Sequence, residues 1–173
     1  AQHRCGDELL NQLNDAARSS LSQLPDPEEI YVFRNNVDSE GNSFGCHENY
    51  LLHRRRDFRQ VADGLVAFFV TRLILVGAGH LRRQGAQLSY CFSQRAEQMW
   101  EAVSSATTRT RPIINTRDEP LADAGQYRRL HVISGDTNVC EATTFLKVGM
   151  TALVLDAVEE GMDLKDLELA DPM

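Results

Sequence analysis

The sequence has little cysteine and no long apolar run, and both shortages limit what the protein can be. Four cysteines are spread over 173 residues, and no two of them form a CxxC pair. This spacing argues against a structural zinc site or a disulfide scaffold and favours reduced, buried thiols. The most apolar stretch, residues 65–79, is too short to span a bilayer and contains Arg72. We therefore expect a cytoplasmic protein with no membrane partner.

A surplus of positive charge is missing as well. The chain has 18 Lys and Arg against 25 Asp and Glu, a formal net charge of -7, which argues against a nucleic-acid partner because phosphate backbones attract basic surfaces. No P-loop or GxGxxG motif occurs, and no GxSxG elbow surrounds Ser104 and Ser105. The most specific short signatures of nucleotide and hydrolase sites are thus absent.

Hydrophobic periodicity predicts a mixture of helices and strands. Helical spacing covers residues 8–24, 57–76 and 138–161. The core stripe of the last helix is predicted to be Ala142, Phe145, Leu146, Gly149, Leu153 and Val158. Strands are predicted at 30–36, 44–52, 88–93, 113–116 and 127–134, with the first two forming a hairpin around the turn 38–42. These elements predict one α+β domain over residues 1–173, with helices on one face of a mainly antiparallel sheet.

Alternation along the strand 127–134 separates its polar side chains from its core side chains. Leu130 and Val132 suit the core, so Arg129 and His131 should point to the opposite, open face. Arg128 shares the core-facing side in this pattern. A single histidine on a strand is more often structural than a ligand, and this alternative stays open.

The strand 44–52 places a second set of polar groups in a row. Gly45, His47 and Asn49 share one face, which combines a bare backbone, an imidazole and an amide. Such a row can hold a metal or a nucleotide without side-chain bulk in the way.

Arginines are dense for an acidic protein in the second half of the chain. They stand at positions 109, 111, 117, 128 and 129, and arginine forks match phosphate and carboxylate oxygens in two-point contacts. Beside a histidine on an open sheet face, they predict a surface suited to phosphoryl transfer. Residues 117–119 are also consistent with ordinary surface salt bridges, and residues 54–56 with a solvated loop. From the residues alone, the prediction stops at a phosphate-binding α+β domain.

Several longer blocks resemble one known family when they are taken together and in order. The blocks are YVFRNN at 31–36, DS at 38–39, GNSFGCHENYL at 41–51, SQRAE at 93–97, RPIINTRDEP at 111–120, YRRLHVI at 127–133 and LKVG at 146–149. They resemble the Pup ligase and Pup deamidase (depupylase) family. Trp100-Glu101 with residues 103–109 is similar to the ligase branch, and the deamidase branch is the alternative.

The resemblance implies a glutamine-synthetase-like carboxylate–amine ligase fold and its chemistry. ATP, with Mg²⁺, would phosphorylate the side-chain carboxylate of the C-terminal glutamate of Pup or a related ubiquitin-like tag. A lysine of a protein substrate would then attack the acyl phosphate and form an isopeptide bond, which targets that protein to the proteasome.

The resemblance also implies roles for residues of this chain. The metal candidates are His47 and His131, and the nucleotide and phosphate candidates are Asn49, Arg117, Arg129 and Arg109. The family has a histidine where Leu121 stands here, so any role of that histidine is in doubt.

The family's glutamate-rich metal strand, its catalytic aspartate and its C-terminal region find no counterpart in residues 1–173. We therefore expect a central fragment of the catalytic domain, with no catalytic residue to assign and no activity by itself. A non-enzymatic binding fragment is a further alternative.

Overall fold

The computed structural model describes residues 2–26, 28–106, 111–167 and 169–173, in two compact units, Ala1–Arg34 and Asn35–Met173. The first unit contains helix α1, Gln2–Leu21, followed by extended chain. The guanidinium of Arg18 donates to the carbonyl of Ile30 at 3.1 and 3.2 Å and lies 5.6 Å from the ring centroid of Tyr31. These contacts tie the end of α1 to the segment after it.

The second unit contains nine further helices and strands within the described residues. They are β1 (Glu48–His53), α2 (Phe58–Thr71), α3 (Leu73–Val76), β2 (His80–Gln84), β3 (Gln87–Cys91), β4 (Glu101–Ser104), β5 (Pro112–Asn115), β6 (Tyr127–Val132) and α4 (Glu141–Glu159). Short 3-10 helices cover Ala96–Gln98 and Lys165–Leu167. Of the helices in the part of the chain that is described, none is long and apolar enough to cross a membrane.

Four strands form the main sheet in the order β1-β6-β5-β4. The β1–β6 and β5–β6 pairs are antiparallel, and β4–β5 is parallel, while β2 and β3 form a separate antiparallel hairpin. One sheet face packs against α2 and α4, because apolar residues from both helices and all three antiparallel strands share one core. The predicted α+β class, with helices on one face of a mainly antiparallel sheet, is confirmed.

The predicted hairpin between residues 30–36 and 44–52 is wrong. Residues 30–36 form no strand, and a single bridge joins Val37 to Ser43. The Asp38 carboxylate accepts the backbone N–H groups of Glu40 and Asn42 at 2.9 and 2.8 Å, which favours a compact loop over a strand ladder. β1 pairs with β6 instead, although the two are far apart in sequence.

Of the predicted core stripe of the last helix, Val158 is buried as predicted, but most of the other residues are exposed. Phe145 and Leu153 of that stripe are 76% and 71% exposed, while Lys147 and Thr151 are buried. The ammonium of Lys147 donates to the carbonyl of Asp136 at 2.6 Å. α4 therefore turns a partly polar face inward, because its polar groups find buried partners there.

Arg72 lies at the point where the predicted helix 57–76 is divided into α2 and α3. Its buried guanidinium forms an ion pair with Glu48 on β1 and donates to the hydroxyl of Thr151 on α4 at 2.7 Å. The Tyr50 hydroxyl donates to Glu48 at 2.5 Å. Burial, and then the charge of Glu48, raises the pKa of Tyr50 to about 12. This network holds the core-facing side chains of Glu48 and Tyr50 on β1 in place. Polar residues lie on the opposite face of the same strand.

Candidate functional site

Two histidines meet on the face of the sheet opposite α2 and α4. Nε2 of His131 lies 3.1 Å from Nδ1 of His47, and the ring centroids are 4.9 Å apart. His131 is on β6, and His47 immediately precedes β1. The alternation of β6 explains its position, since Leu130 and Val132 are fully buried on the other face.

A glycine makes room for the first of these rings. A Cβ on Gly45 would lie 2.7 Å from Nε2 of His47 and 2.9 Å from its Cδ2. The imidazole therefore lies directly against the backbone at Gly45 and takes up space that the predicted row of Gly45, His47 and Asn49 was expected to leave for a ligand. Any larger residue at this position would displace the ring.

Both imidazoles are held in the neutral form. Burial, then the proximity of the His47 imidazole and the positive charges of Arg129 and Arg117, lowers the pKa of His131 to about 4. Burial is also the main cause that lowers the pKa of His47, followed by the charges of Arg95 and Arg129. At neutral pH, the pair therefore offers lone pairs rather than positive charge.

Two asparagines flank His131 across the sheet. Asn49 is its direct partner on β1, and Asn115 is its partner on β5. Asn49 is exposed, so its amide is accessible on the open face. Asn115 is buried and accepts the backbone N–H of Arg117 at 2.9 Å, which fixes the start of the β5–β6 loop.

Arg117 and Arg129 approach the histidines from the loop and from β6. The Arg117 guanidinium donates to Glu119 at 2.9 Å, and a guanidinium nitrogen of Arg129 lies 3.9 Å from the other oxygen of the same carboxylate. Their side chains are 50% and 24% exposed. Apart from Glu119, both arginines remain available to a ligand carrying negative charge.

Five of the six predicted site residues are thus brought together on one face: His47, Asn49, Arg117, Arg129 and His131. Arg109 lies outside the described residues. Arg128 points away, as its alternation predicts, with its guanidinium 3.7 Å from the ring centroid of Phe58 on α2. The placement agrees with the prediction, and the roles of these residues remain predictions.

The sequence does not mark two residues that act on this site, the exposed Glu119 and the buried Arg95. Glu119 forms a surface salt bridge with Arg117, and its spacing of two from Arg117 puts both side chains on the same side of an extended segment. Arg95 is buried and donates to the carbonyl of Ile133 at 2.7 Å, while its charge acts on His47. No local pattern marks Arg95, because its partners are distant in sequence.

The histidine pair falls short of a complete metal site. No group of three or more His, Cys, Asp and Glu side chains suited to a metal ion occurs among the described residues. Nδ1 of His131 is nevertheless buried without a hydrogen-bond partner in that same part of the chain. A neutral imidazole with an unused nitrogen can serve as one ligand of an incomplete set.

Comparison with known proteins extends over the whole chain. The family model described as Pup-ligase protein matches residues 1–173. Proteins named Pup–protein ligase from Jonesia denitrificans and Nakamurella multipartita are 55% and 51% identical over 173 residues. All of this chain is covered in both cases, but only 38% of each relative. The chain therefore spans well under half the length of these curated relatives.

Two solved structures share the fold. The structure of the Pup ligase PafA of the prokaryotic ubiquitin-like modification pathway in complex with ADP has a TM-score of 0.86 and 46% identity, covering 98% of this chain and 38% of that one. The crystal structure of the complex between prokaryotic ubiquitin-like protein Pup and its ligase PafA has a TM-score of 0.79 and 40% identity, covering 96% and 35%. The α+β fold of this chain is therefore that of part of a carboxylate–amine ligase.

Proposed function

We propose, from the premise that this chain belongs to the Pup-ligase protein family, that the whole protein is an ATP-dependent ligase. It would join the side-chain carboxylate of a C-terminal glutamate on Pup, or on a related ubiquitin-like tag, to lysines of other proteins. The matched relatives bear the name of this activity, and one solved neighbour holds ADP. Targeting of the tagged proteins to the proteasome and a cytoplasmic location are parts of the same proposal.

One observation carries the proposal at the level of residues. Two arginines and two neutral histidines converge on one open sheet face, and among the described residues the carboxylate paired with the arginines is the exposed Glu119. A guanidinium with one exposed carboxylate partner can exchange it for phosphate oxygens at small cost. We therefore assign Arg117 and Arg129 to the ATP phosphates and Asn49 to the nucleotide. Arg109 is proposed for the same role on its sequence alone.

The chemistry then follows two displacements. A carboxylate oxygen of the tag attacks the γ-phosphorus of ATP, the bond to ADP breaks, and an acyl phosphate forms. A lysine amine attacks the acyl carbon, the phosphate leaves, and an isopeptide bond results after loss of a proton. Arg117 and Arg129 would stabilise the negative charge that develops on the transferred phosphoryl group. We assign no general base among the described residues.

Magnesium is the cation that the proposal pairs with ATP, and His47 and His131 are the side chains that would contact it. Their neutral state and the unused Nδ1 of His131 fit a ligand role. Since Mg²⁺ prefers oxygen ligands, two imidazoles are only part of a set, and phosphate oxygens of the nucleotide would supply the rest. When bound, the cation neutralises phosphate charge.

Ligation by the full protein tests the proposal. The protein is incubated with a lysine-bearing substrate protein, ATP and Mg²⁺, and with a tag that ends in glutamate or in glutamine. We expect conjugation with the glutamate-ended tag and none without ATP. Deamidation of the glutamine-ended tag without any conjugation would reject the ligase in favour of the deamidase branch of the family.

Substitution of one assigned arginine tests the site separately from the reaction. Arg129→Ala should raise the KM for ATP by about tenfold, the value of one lost charge-assisted hydrogen bond. The control is Arg59→Ala, which makes the same change of charge on the exposed side of α2. There Nε of Arg59 lies 3.5 Å from a carboxylate oxygen of Asp63, and the substitution should leave the KM for ATP unchanged. Equal KM values for the two variants would remove Arg129 from the nucleotide site.

A further inference from the structure

The loop that connects β5 to β6 carries half of the candidate phosphate site. Arg117 and Glu119 lie on this loop, residues 116–126, whereas His131 and Arg129 lie on the rigid strand β6. Most of the loop is exposed, and Leu121 at its tip is fully so. The position of Arg117 therefore depends on whatever holds the loop against the rest of the unit.

Arg54, just beyond the end of β1, makes the shortest contacts of that attachment, and Arg128 adds longer ones, to Asp118 at 3.9 Å and to the carbonyl of Thr116 at 3.5 Å. The guanidinium of Arg54 donates to the carbonyls of Ala124 and Tyr127 at 2.7 and 2.9 Å. Arg54 also forms an ion pair with Asp118 at 2.8 Å, and its backbone N–H donates to the carbonyl of Gln126 at 2.7 Å. One residue thus contacts both ends of the loop, including the immediate neighbour of Arg117.

The carboxylate of Asp118 is well adapted to this contact. The hydrogen bond from Arg54 and the charges of Arg128 and Arg54 lower the pKa of Asp118, although burial opposes them as the largest single cause. Asp118 is therefore ionised at neutral pH. Its side chain is 25% exposed and that of Arg54 is 35% exposed, so solvent screens the pair only in part.

The two neighbouring arginines have different roles. Arg55 donates to both oxygens of Asp57 at 2.9 and 2.8 Å and to the carbonyl of Val158 at 2.6 Å, so it anchors the end of α4. Arg56 is exposed. Residues 54–56 lie in a loop, as predicted, and Arg54 and Arg56 are exposed, but Arg54 and Arg55 also make specific contacts within the unit.

We propose that Arg54 is a positioning residue, which holds the loop 116–126 so that Arg117 faces the phosphate groups of ATP. The inference rests on the proposed function. Arg54 does not touch the nucleotide; it acts through the carboxylate of Asp118 at the start of the loop and through carbonyls at the end of the loop. Because its three donors point in different directions from one rigid plane, lysine cannot replace it.

The inference is tested in the full protein by comparing two arginines that are two positions apart. Arg54→Ala and Arg56→Ala remove the same charge, and the KM for ATP and kcat of ligation are measured for both. We expect Arg54→Ala to raise the KM by about tenfold, as loss of the Arg117 contact would, and Arg56→Ala to change it by less than about twofold. Arg54→Lys should resemble Arg54→Ala.

A double substitution separates positioning from a general loss of stability. If Arg54 acts only through Arg117, then Arg54→Ala combined with Arg117→Ala should have the KM of Arg117→Ala alone. The inference would be overturned if the KM for ATP rose in the double variant by the product of the two single increases. It would also be overturned by equal KM values for Arg54→Ala and Arg56→Ala. If Arg54→Ala does not fold, Asp118→Asn is used, which keeps the shape of the side chain. It should raise the KM in the same direction, and an unchanged KM would overturn the inference.

The wild-type protein distinguishes the two levels of failure. An absence of ATP-dependent ligation by the wild type would contradict the proposed function itself. If the wild type ligates normally and the KM for ATP is the same in Arg54→Ala and Arg56→Ala, only the positioning role is contradicted.

Discussion

Two groups of arginines in the same unit differ in how completely they are bonded. Arg72 and Arg95 are 2% and 1% exposed, and they use their guanidinium groups on partners inside the fold: Glu48 and Thr151 for Arg72, and backbone carbonyls for Arg95. Arg117 and Arg129 lie on the open face and share one half-exposed carboxylate, Glu119. Arg72 and Arg95 thus lie inside the unit, whereas Arg117 and Arg129 are partly exposed to solvent.

The difference separates structural from ligand-binding arginines without any appeal to motifs. A buried guanidinium must be paired with its partners, because an unpaired buried charge is strongly unfavourable. A guanidinium with a single, solvent-exposed partner loses little when that partner leaves. Substitutions in the first group should therefore change stability, and substitutions in the second group should change ligand binding.

The largest effect is expected at the buried pair. Arg72→Met leaves the Glu48 carboxylate buried without its ion-pair partner, which should reduce the free energy of unfolding of the 173-residue chain by about 3–5 kcal/mol. Urea denaturation followed by circular dichroism measures this change. The double variant Arg72→Met and Glu48→Leu removes both charges and should recover most of the loss. If Arg72→Met has the same free energy of unfolding as the wild type, the ion pair does not stabilise the fold.

The histidine pair should make stability depend on pH. The pKa of His131 is about 4 in the folded chain, against an ordinary value near 6.5. Between these two pH values, the unfolded chain therefore binds a proton at His131 and the folded chain does not. Stability should therefore be full above pH 6.5 and should fall as the pH drops from 6.5 towards 4. The urea midpoint at pH 7.5 and pH 4.5 measures the loss.

A matched pair of variants assigns this loss to His131. His131→Asn should make the difference between the two midpoints smaller, whereas His80→Asn, on the exposed hairpin, should leave it as in the wild type. An identical pH dependence in all three proteins would contradict the lowered pKa of His131.

The smallest effect is expected at the carboxylate between the two open arginines. Glu119→Gln keeps the side-chain shape but removes the charge that competes with phosphate, so the affinity for ATP should rise by about two- to fivefold. Isothermal titration with ATP measures it, and Glu160→Gln, an equal change of charge at the end of α4, is the control. A lower affinity in Glu119→Gln would mean that the carboxylate helps to hold the nucleotide instead of competing with it.

Local patterns were reliable wherever one face of a strand is buried. Leu130 and Val132 place His131 and Arg129 on the opposite face by simple alternation, and the structure confirms this placement. Helix α4 shows where the same reasoning fails. Its apolar residues Phe145 and Leu153 are exposed, because Lys147 and Thr151 have buried polar partners that come from distant segments. Hydrophobicity alone cannot anticipate a polar group that is paired inside the core.

Period-two alternation was enough to place His131 and Arg129 on the face opposite the core, since it follows from a few neighbouring residues, and the family resemblance named the other side chains of the candidate site. Which strands pair, which arginines are consumed by the interior, and how the β5–β6 loop is held depend on contacts between segments separated by dozens of residues. Register and polar pairing of this kind are set by the packed chain as a whole. The meeting of His47 with His131, and of Arg54 with Asp118, therefore became visible only in three dimensions.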